Sequence, residues 1–242
     1  MSEVVPRAPG SYNTQIRDIT TSPTLYEKTI QAYWKWILGN ANDLKNKYIV
    51  NIDGKKIALT RGCYEYTNVV GTNNETGRRN LCGSTPQLNV LDEPYDYIFV
   101  PLLDSLEYTE AIDPSGGELT VPKINSILAH ENDAVSSTDL AATIQKKENG
   151  SWDVPLPIAP QLLTFRTTSP ADSDKTFVLT VPKDSALADQ MEFPLKSMDL
   201  HARAEGYYLL IEKPPAGTYR IFSRGYGLRN FQSLIQIELV VT

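Results

Sequence analysis

Gly206-Tyr-Tyr-Leu-Leu-Ile-Glu-Lys-Pro-Pro-Ala-Gly-Thr-Tyr-Arg-Ile-Phe222 is the stretch on which the fold class turns. Tyr207 to Ile211 is rich in residues that suit a pleated surface, Pro214-Pro215-Ala216-Gly217 cannot extend it, and Thr218 to Phe222 resumes it. The pattern predicts two adjacent strands joined by the Pro-Pro-Ala-Gly turn, with a third strand after them. In that third strand Ile235, Ile237, Leu239 and Val241 recur at period two with Gln236 and Glu238 between them, so one side meets a core and the other meets water.

Working outward, the chain of 242 residues is long enough for one large β domain or two small ones, and would bury about 70 to 75 per cent of the surface exposed by its unfolded chain. Charged residues make up 21 per cent and the hydrophobic set 41 per cent, a globular composition rather than that of a disordered chain. Sixteen prolines and 14 glycines fit many short strands with turns between them. A net charge of −6 argues against affinity built on phosphate neutralisation, so nucleic acid is not an expected partner. The basic pairs Lys55-Lys56, Arg78-Arg79 and Lys146-Lys147, with Lys45 to Lys47, read as solvated surface. No apolar run is long enough to span a bilayer, and Met1 to Arg7 lacks the basic start and apolar centre of a secretory signal. Either the chain works where it is made, or a leader was removed; a virion or extracytoplasmic surface is the expected setting.

Residues 1–21 carry no helical or strand period and contain Pro6, Pro9 and Gly10, so they read as an extended N-terminal arm in front of a domain spanning 22–242. One helix is expected over 23–38. Pro23 suits a first turn, Thr24 with Glu27 has the capping-box form, and Gly39 sits where a C-terminal cap belongs. Its apolar stripe of Tyr26, Ile30, Tyr33, Trp34 and Ile37, widened by Leu25, Ala32 and Trp36, predicts that it caps an open end or face of the β-structure. Tyr48 to Ile52 and Lys56 to Thr60 flank Asp53-Gly54 as a hairpin would. Tyr95 to Leu103 reads as a buried strand whose end Pro101 forces out of the ladder, and Leu119 to Ile127 as a further strand. Ser137 to Lys147 has helical composition without a stripe, Gly150 to Pro160 suits a crossing loop, and Leu162 to Thr167 and Thr176 to Val181 read as strands. The expected fold is mainly β: a single antiparallel β-sandwich of jelly-roll type with one N-terminal capping helix and an extended arm.

Motifs with chemistry are sparse. Asp199 and His201 would share a face of a strand, but no nucleophile motif accompanies them, and a surface pair is the favoured reading. The carboxylates Asp92, Glu93, Asp96, Asp104 and Glu107 flank an apolar run, and a glycoside hydrolase would need two of them to converge. Asp133 with Asp139, or Asp172 with Asp174, lacks the rest of a calcium loop. Gly225-Tyr-Gly227 lacks the third glycine of a phosphate-cradling turn. No catalytic residue, metal site or cofactor is therefore expected. Cys63 and Cys82 would, if bridged, close a loop of about 20 residues with about 3 kcal/mol of stabilisation, or they are two separate reduced thiols; both readings stand. Tyr64 and Tyr66, with Tyr207, Tyr219 and Tyr226, are the candidate ligand-binding rings, suited to a glycan or to a protein interface.

Trp34-Lys-Trp36, Arg79-Asn-Leu-Cys82, Ile98-Phe-Val-Pro101 and Glu205-Gly-Tyr-Tyr208 leading into Pro215-Ala-Gly-Thr-Tyr219 resemble a loosely defined family of microbial β-rich proteins, usually exported and without an established activity. The resemblance implies an order of elements and an extracytoplasmic tendency, and no chemistry. The expected function is that of a non-catalytic structural subunit, homo- or hetero-oligomeric, that meets protein partners through its arm and sheet edges. A glycan-binding module is the alternative and a carboxylate-dependent hydrolase the second alternative.

Overall fold

Alternation of apolar and polar side chains builds most of this chain, and its result is seen in a computed structural model that describes residues 16–39, 47–60, 63–70, 75–80, 87–89, 94–111, 117–159, 161–185, 188, 197–228 and 232–241. Helix α1 spans Pro23–Gly39 and α2 spans Val121–Asp133. The strands are β1 (Lys47–Ile52), β2 (Lys55–Thr60), β3 (Cys63–Val70), β4 (Glu75–Asn80), β5 (Gln87–Asn89), β6 (Tyr97–Tyr108), β7 (Leu140–Glu148), β8 (Ser151–Trp152), β9 (Leu156–Pro157), β10 (Arg166–Ser169), β11 (Phe177–Val181), β12 (Met198–Glu212), β13 (Gly217–Tyr226) and β14 (Gln232–Val241). A short 3-10 turn, Leu162–Phe165, precedes β10. The chain is mainly β, in two mostly antiparallel sheets.

Sheet A runs β1-β2-β6-β12-β10, with β11 also paired to β12. Sheet B runs β4-β3-β14-β13-β7-β8, with β5 on β14 and β9 on β7. The expected β1–β2 hairpin forms with Ile52 opposite Lys55, and Asp53 (φ 51°) and Gly54 (φ 78°) both take the left-handed conformation that a two-residue turn requires. In β14 the burial alternates as expected, with Ile235, Ile237, Leu239 and Val241 inside.

The Pro-Pro-Ala-Gly segment is a corner rather than a hairpin turn. Strand β12 pairs with β6, β10 and β11 in sheet A, whereas β13 pairs with β14 and β7 in sheet B. Both flanks of β12 are already occupied, by β6 on one side and by β10, then Ile16, on the other. Two successive prolines without N–H groups then carry the chain out of one ladder and into the next. Leu209 and Ile211 before the corner and Tyr219 and Ile221 after it bury in one shared core.

One further expectation changes, and one segment left open by the sequence takes a definite form. Leu119 to Ile127 is not a strand: Pro122 and the spacing of Ile124, Leu128 and Asn132 place it in α2, where a first-turn proline leaves no donor missing. A short apolar run of this kind fits either period until length decides. Ser137 to Lys147 is largely strand β7, because Leu140, Ala142 and Ile144 alternate into the core beside β13, and packing overrides the helical preference of its alanines, glutamine and lysines.

Helix α1 begins at Pro23, with the carbonyl of Ser22 accepting from the Tyr26 amide at 3.2 Å, so Thr24 lies within the first turn and is not the cap. It covers one face of sheet A with Tyr26, Ile30, Tyr33, Trp34, Trp36, Ile37 and Leu38 against Phe99, Leu200, Tyr208 and Leu210. Tyr33 meets Phe99 at 5.4 Å between ring centroids, and Phe99 stacks on Tyr208 at 5.4 Å. The opposite face is divided. Ile98, Val100, Leu103, Leu209 and Ile211 pack on sheet B, and farther along the same two strands α2 lies against them.

Sheets A and B touch through a bulge. Tyr207 faces Leu103 and Tyr208 faces Pro101, so Leu102 is an extra residue in β6. Pro101 does not leave the ladder; it sits beyond Phe99, where the pairing of β2 with β6 has stopped. The Leu102 carbonyl is pushed towards β13 at Gly225, where an added Cβ would fall inside contact distance of that oxygen and 2.8 Å from the Leu103 Cβ. Gly225 thus lets two backbones meet.

Of the arm expected over 1–21, residues 16–21 are described and rest on their own domain. Ile16 bridges to Ile211, the Arg17 amide donates to the Leu210 carbonyl at 2.9 Å, and Tyr26 Oη donates to the Arg17 carbonyl at 2.7 Å.

Gly225→Ala should lower stability by about 2–3 kcal/mol, as inserting an atom into a closed contact does, while Gly117→Ala, whose Cβ would meet nothing within 4 Å, should be near neutral. Urea unfolding of the two variants checks this; equal effects would contradict the role given to the bulge.

Candidate functional site

Asp199-Leu-His-Ala-Arg-Ala-Glu-Gly-Tyr207 alternates polar with small or apolar residues over the first two thirds of β12. The pleat therefore sends Leu200, Ala202 and Ala204 towards α1 and lines Asp199, His201, Arg203, Glu205 and Tyr207 along the other face. Each member of that row has a partner. Asp199 accepts from Thr180 Oγ1 at 2.5 Å. His201 Nδ1 lies 2.7 Å from Glu110 Oε1, and its amide donates to the same carboxylate at 3.0 Å. Burial works to raise the Glu110 carboxyl, but the ring and amide of His201 outweigh it and hold it below the ordinary value. Asp199 and His201 do share a face, as the sequence predicts, but each is engaged elsewhere and they do not form a dyad with each other.

Arg203 is the most constrained member. Its neighbours across the strand margin, Ala204 and Ala202, pair with Ser169 and Phe177, so Arg203 faces the gap where the chain leaves sheet A between β10 and β11. Its side chain is 2 % exposed, and it donates to the carbonyls of Pro170 (3.0 Å), Asp172 (2.7 Å) and Lys175. Burial draws the guanidinium below the usual arginine value, against the opposing pull of Asp172 and Glu205. A planar fork of donors fills a hole in a ladder that strand pairing would otherwise fill.

Glu205 and Tyr207 tie the row to α2. Arg166 donates through Nε to Glu205 at 2.6 Å and through Nη1 to Asp133 at 2.6 Å. Burial opposes the Arg166 charge, and the two carboxylates outweigh it and raise its pKa. Tyr207 Oη donates to the Asn132 carbonyl at 3.0 Å, and burial raises the phenol.

Of the candidate rings, the side chains of Tyr207, Tyr219 and Tyr226 are described. Tyr207 and Tyr219 are core residues, 2 % and 1 % exposed. Tyr226 is 37 % exposed, with the Arg224 guanidinium 4.9 Å from its ring centroid. Tyr64, Tyr66 and Cys63 fall on β3, whose side chains lie outside the described ones, and Cys82 lies outside the described residues, so the disulfide does too. Trp152, which the sequence reading passed over as part of a loop, lies under the Arg220 guanidinium at 4.2 Å and near Lys147 at 5.6 Å, on the same outer face of sheet B as Tyr226.

Among the described residues the carboxylates weighed for hydrolysis do not converge. Asp96 is exposed at the start of β6, where it accepts the Lys56 amide at 2.8 Å. Asp104 and Glu107 are three residues apart in β6, so they point to opposite faces of sheet A. Asp92 and Glu93 lie outside the described residues. Asp104 is buried with neither carboxylate oxygen hydrogen-bonded, and burial pushes its pKa up to about 7. Among the described residues no group of three or more His, Cys, Asp or Glu side chains gathers as a metal site. Asp139 is held by Ser136, Asp133 by Arg166, and Asp172 by the Asp174 amide and Lys175.

No family model, curated protein or solved structure matches this chain.

Arg203→Met should cost about 3 kcal/mol or more, because three carbonyls lose a charged donor, and Arg203→Lys should not restore the loss, since one ammonium cannot reproduce the fork. Thermal and urea unfolding decide; full rescue by lysine would contradict the clamp.

Proposed function

We propose that this chain is a non-catalytic structural subunit, a single antiparallel β-sandwich of jelly-roll type, which joins its neighbours through residues 1–15 and the open margins of its sheets, as in a virion or cell-surface lattice. The observation that carries the reading is the root of the N-terminal segment. Ile16 and Arg17 are stitched to the margin of β12, Arg17 donates to Tyr97 Oη through Nε at 3.1 Å, and its guanidinium lies 5.4 Å from that ring's centroid. Residues 16 and 17 are thus fixed at a strand margin, which suits a role for the residues before them in adding to the strand margin of another subunit.

A receiving margin is available in β11. Among the described strands it pairs only with β12, and Val178 in it is 46 % exposed. An alternating strand with one unpaired side accepts a partner's backbone through main-chain bonds.

Sedimentation of the full chain against a form lacking residues 1–15 tests the reading. The full chain should assemble and the shortened one should be a folded monomer; a full chain that stays monomeric at high concentration, or a shortened chain that assembles equally well, would refute it.

Glycan binding is favoured by one specific observation, the Trp152 and Tyr226 rings on the outer face of sheet B. Under this second reading Trp152→Ala and Tyr226→Ala each abolish binding on a glycan array, whereas no binding by the unaltered protein removes it.

A further inference from the structure

Asp104 is a charge-bearing residue placed where a charge has nowhere to go. It stands in the middle of β6, opposite Gly206 of β12, on the face of sheet A that carries Phe99, Leu106, Tyr108, Ala204 and Tyr208 and that α1 covers. The two strands approach closely here: a Cβ on Gly206 would lie 2.7 Å from the Asp104 Cα, and glycine itself offers the carboxyl no side-chain donor. Both of its oxygens are buried and without a hydrogen-bond partner.

The charged groups nearby are turned away or committed. On β6, Glu107 points to the opposite face. On β12, Arg203 and Glu205 do likewise, Arg203 bound to the 170–175 carbonyls and Glu205 to Arg166. On α1, Lys28 is paired with Asp53 in solvent and Lys35 is exposed. Glu27, farther along α1, lies at the β10 side, where its backbone carbonyl accepts from Ser169 Oγ. Among the described residues the titratable side chains in the layer of Asp104 are the phenols of Tyr26, Tyr33, Tyr97, Tyr108 and Tyr208, and Arg17 is engaged by the Tyr97 hydroxyl seven residues along β6 from Asp104. A neutral layer of this kind accepts a carboxylic acid far more readily than a carboxylate.

We propose that Asp104 is a built-in pH-responsive element: as the neutral acid it lets α1 seat on sheet A, and its ionisation loosens that seat, so the domain is tighter in mild acid than in mild alkali. The sign follows from linkage. The Asp104 carboxyl is raised from 3.8 to about 7 by burial alone, so over that interval the unfolded chain releases a proton that the folded one keeps. The contribution of this residue to stability is therefore greatest below the unfolded pKa, declines as pH rises through the interval, and levels off above the folded pKa.

Two measurements test the proposal. Urea unfolding can be followed through Trp34 and Trp36 in a Trp152→Phe background, with and without Asp104→Asn. Between about pH 5 and about pH 8 the folding constant of the Asp104 form should fall about 10²-fold relative to the Asn form. A ratio that stays constant with pH overturns the proposal, since every other carboxylate is common to both. Should Asp104→Asn fail to fold, the carboxyl carbon of Asp104 is titrated by NMR in the unaltered protein. A midpoint near neutrality supports the element, and a midpoint in the ordinary carboxylate range overturns it.

Discussion

Everything in this molecule hangs on the antiparallel ladder between β6 and β12, in which Ala202 to Glu212 pair with Tyr108 to Tyr97 around one bulge. Both faces of this ladder are covered, which is why Tyr97 to Leu103 and Tyr207 to Ile211 read as continuous apolar runs, whereas Asp199 to Glu205 alternates. The covering layer changes along its length. One face meets α1, and the other meets sheet B near Leu209 and Ile211 and α2 near Glu205 and Tyr207. The bulge at Leu102 marks that change, because the extra residue pushes a carbonyl out of sheet A against β13, where Gly225 receives it. Without a side chain of no size at that place, two backbones could not meet.

A ladder buried on both faces should be apolar, yet this one carries Arg203, Glu205 and Asp104. Arg203 and Glu205 are explained by what they bind: one fills the break between β10 and β11, and the other receives Arg166, which also holds Asp133 of α2. They are internal fasteners, and a buried charge held by several hydrogen bonds is tolerated where an unpaired one is not. Asp104 breaks that rule, and burial pushes its carboxyl up to about 7. Arg203, Glu205 and Tyr207 hold the ladder to its neighbours, and no metal-type cluster forms among the described residues.

The strands were legible where one face meets a core and the other water, as in β14, and the Asp53-Gly54 turn was legible because its two positions demand left-handed conformations. The corner after β12 was misread as a hairpin because prolines report that a ladder ends and not which sheet follows. Helix α2 reads as a strand in the sequence and the segment that forms β7 stays open: three or four apolar residues fit either period, and only the neighbours decide. The polar row was present in the sequence as the alternation from Asp199 to Glu205, of which the shared face of Asp199 and His201 was legible, but nothing local shows that β10 will stop opposite Arg203. The partners that give the row its meaning, Glu110, Arg166 and the carbonyls of 170–175, are distant in sequence and close only through topology. The Asp104 carboxyl was visible as one of several near the apolar run of β6, but the face on which it falls depends on the bulge two residues earlier.

Native-state hydrogen exchange tests the central ladder most directly. If β6 and β12 are the element on which the rest depends, the amides of Ile98, Val100, Leu209 and Ile211 will exchange only through global unfolding and will be the slowest in the molecule. Slower exchange in α1 or in the β13–β14 pair, with β6 and β12 opening first, would contradict the account.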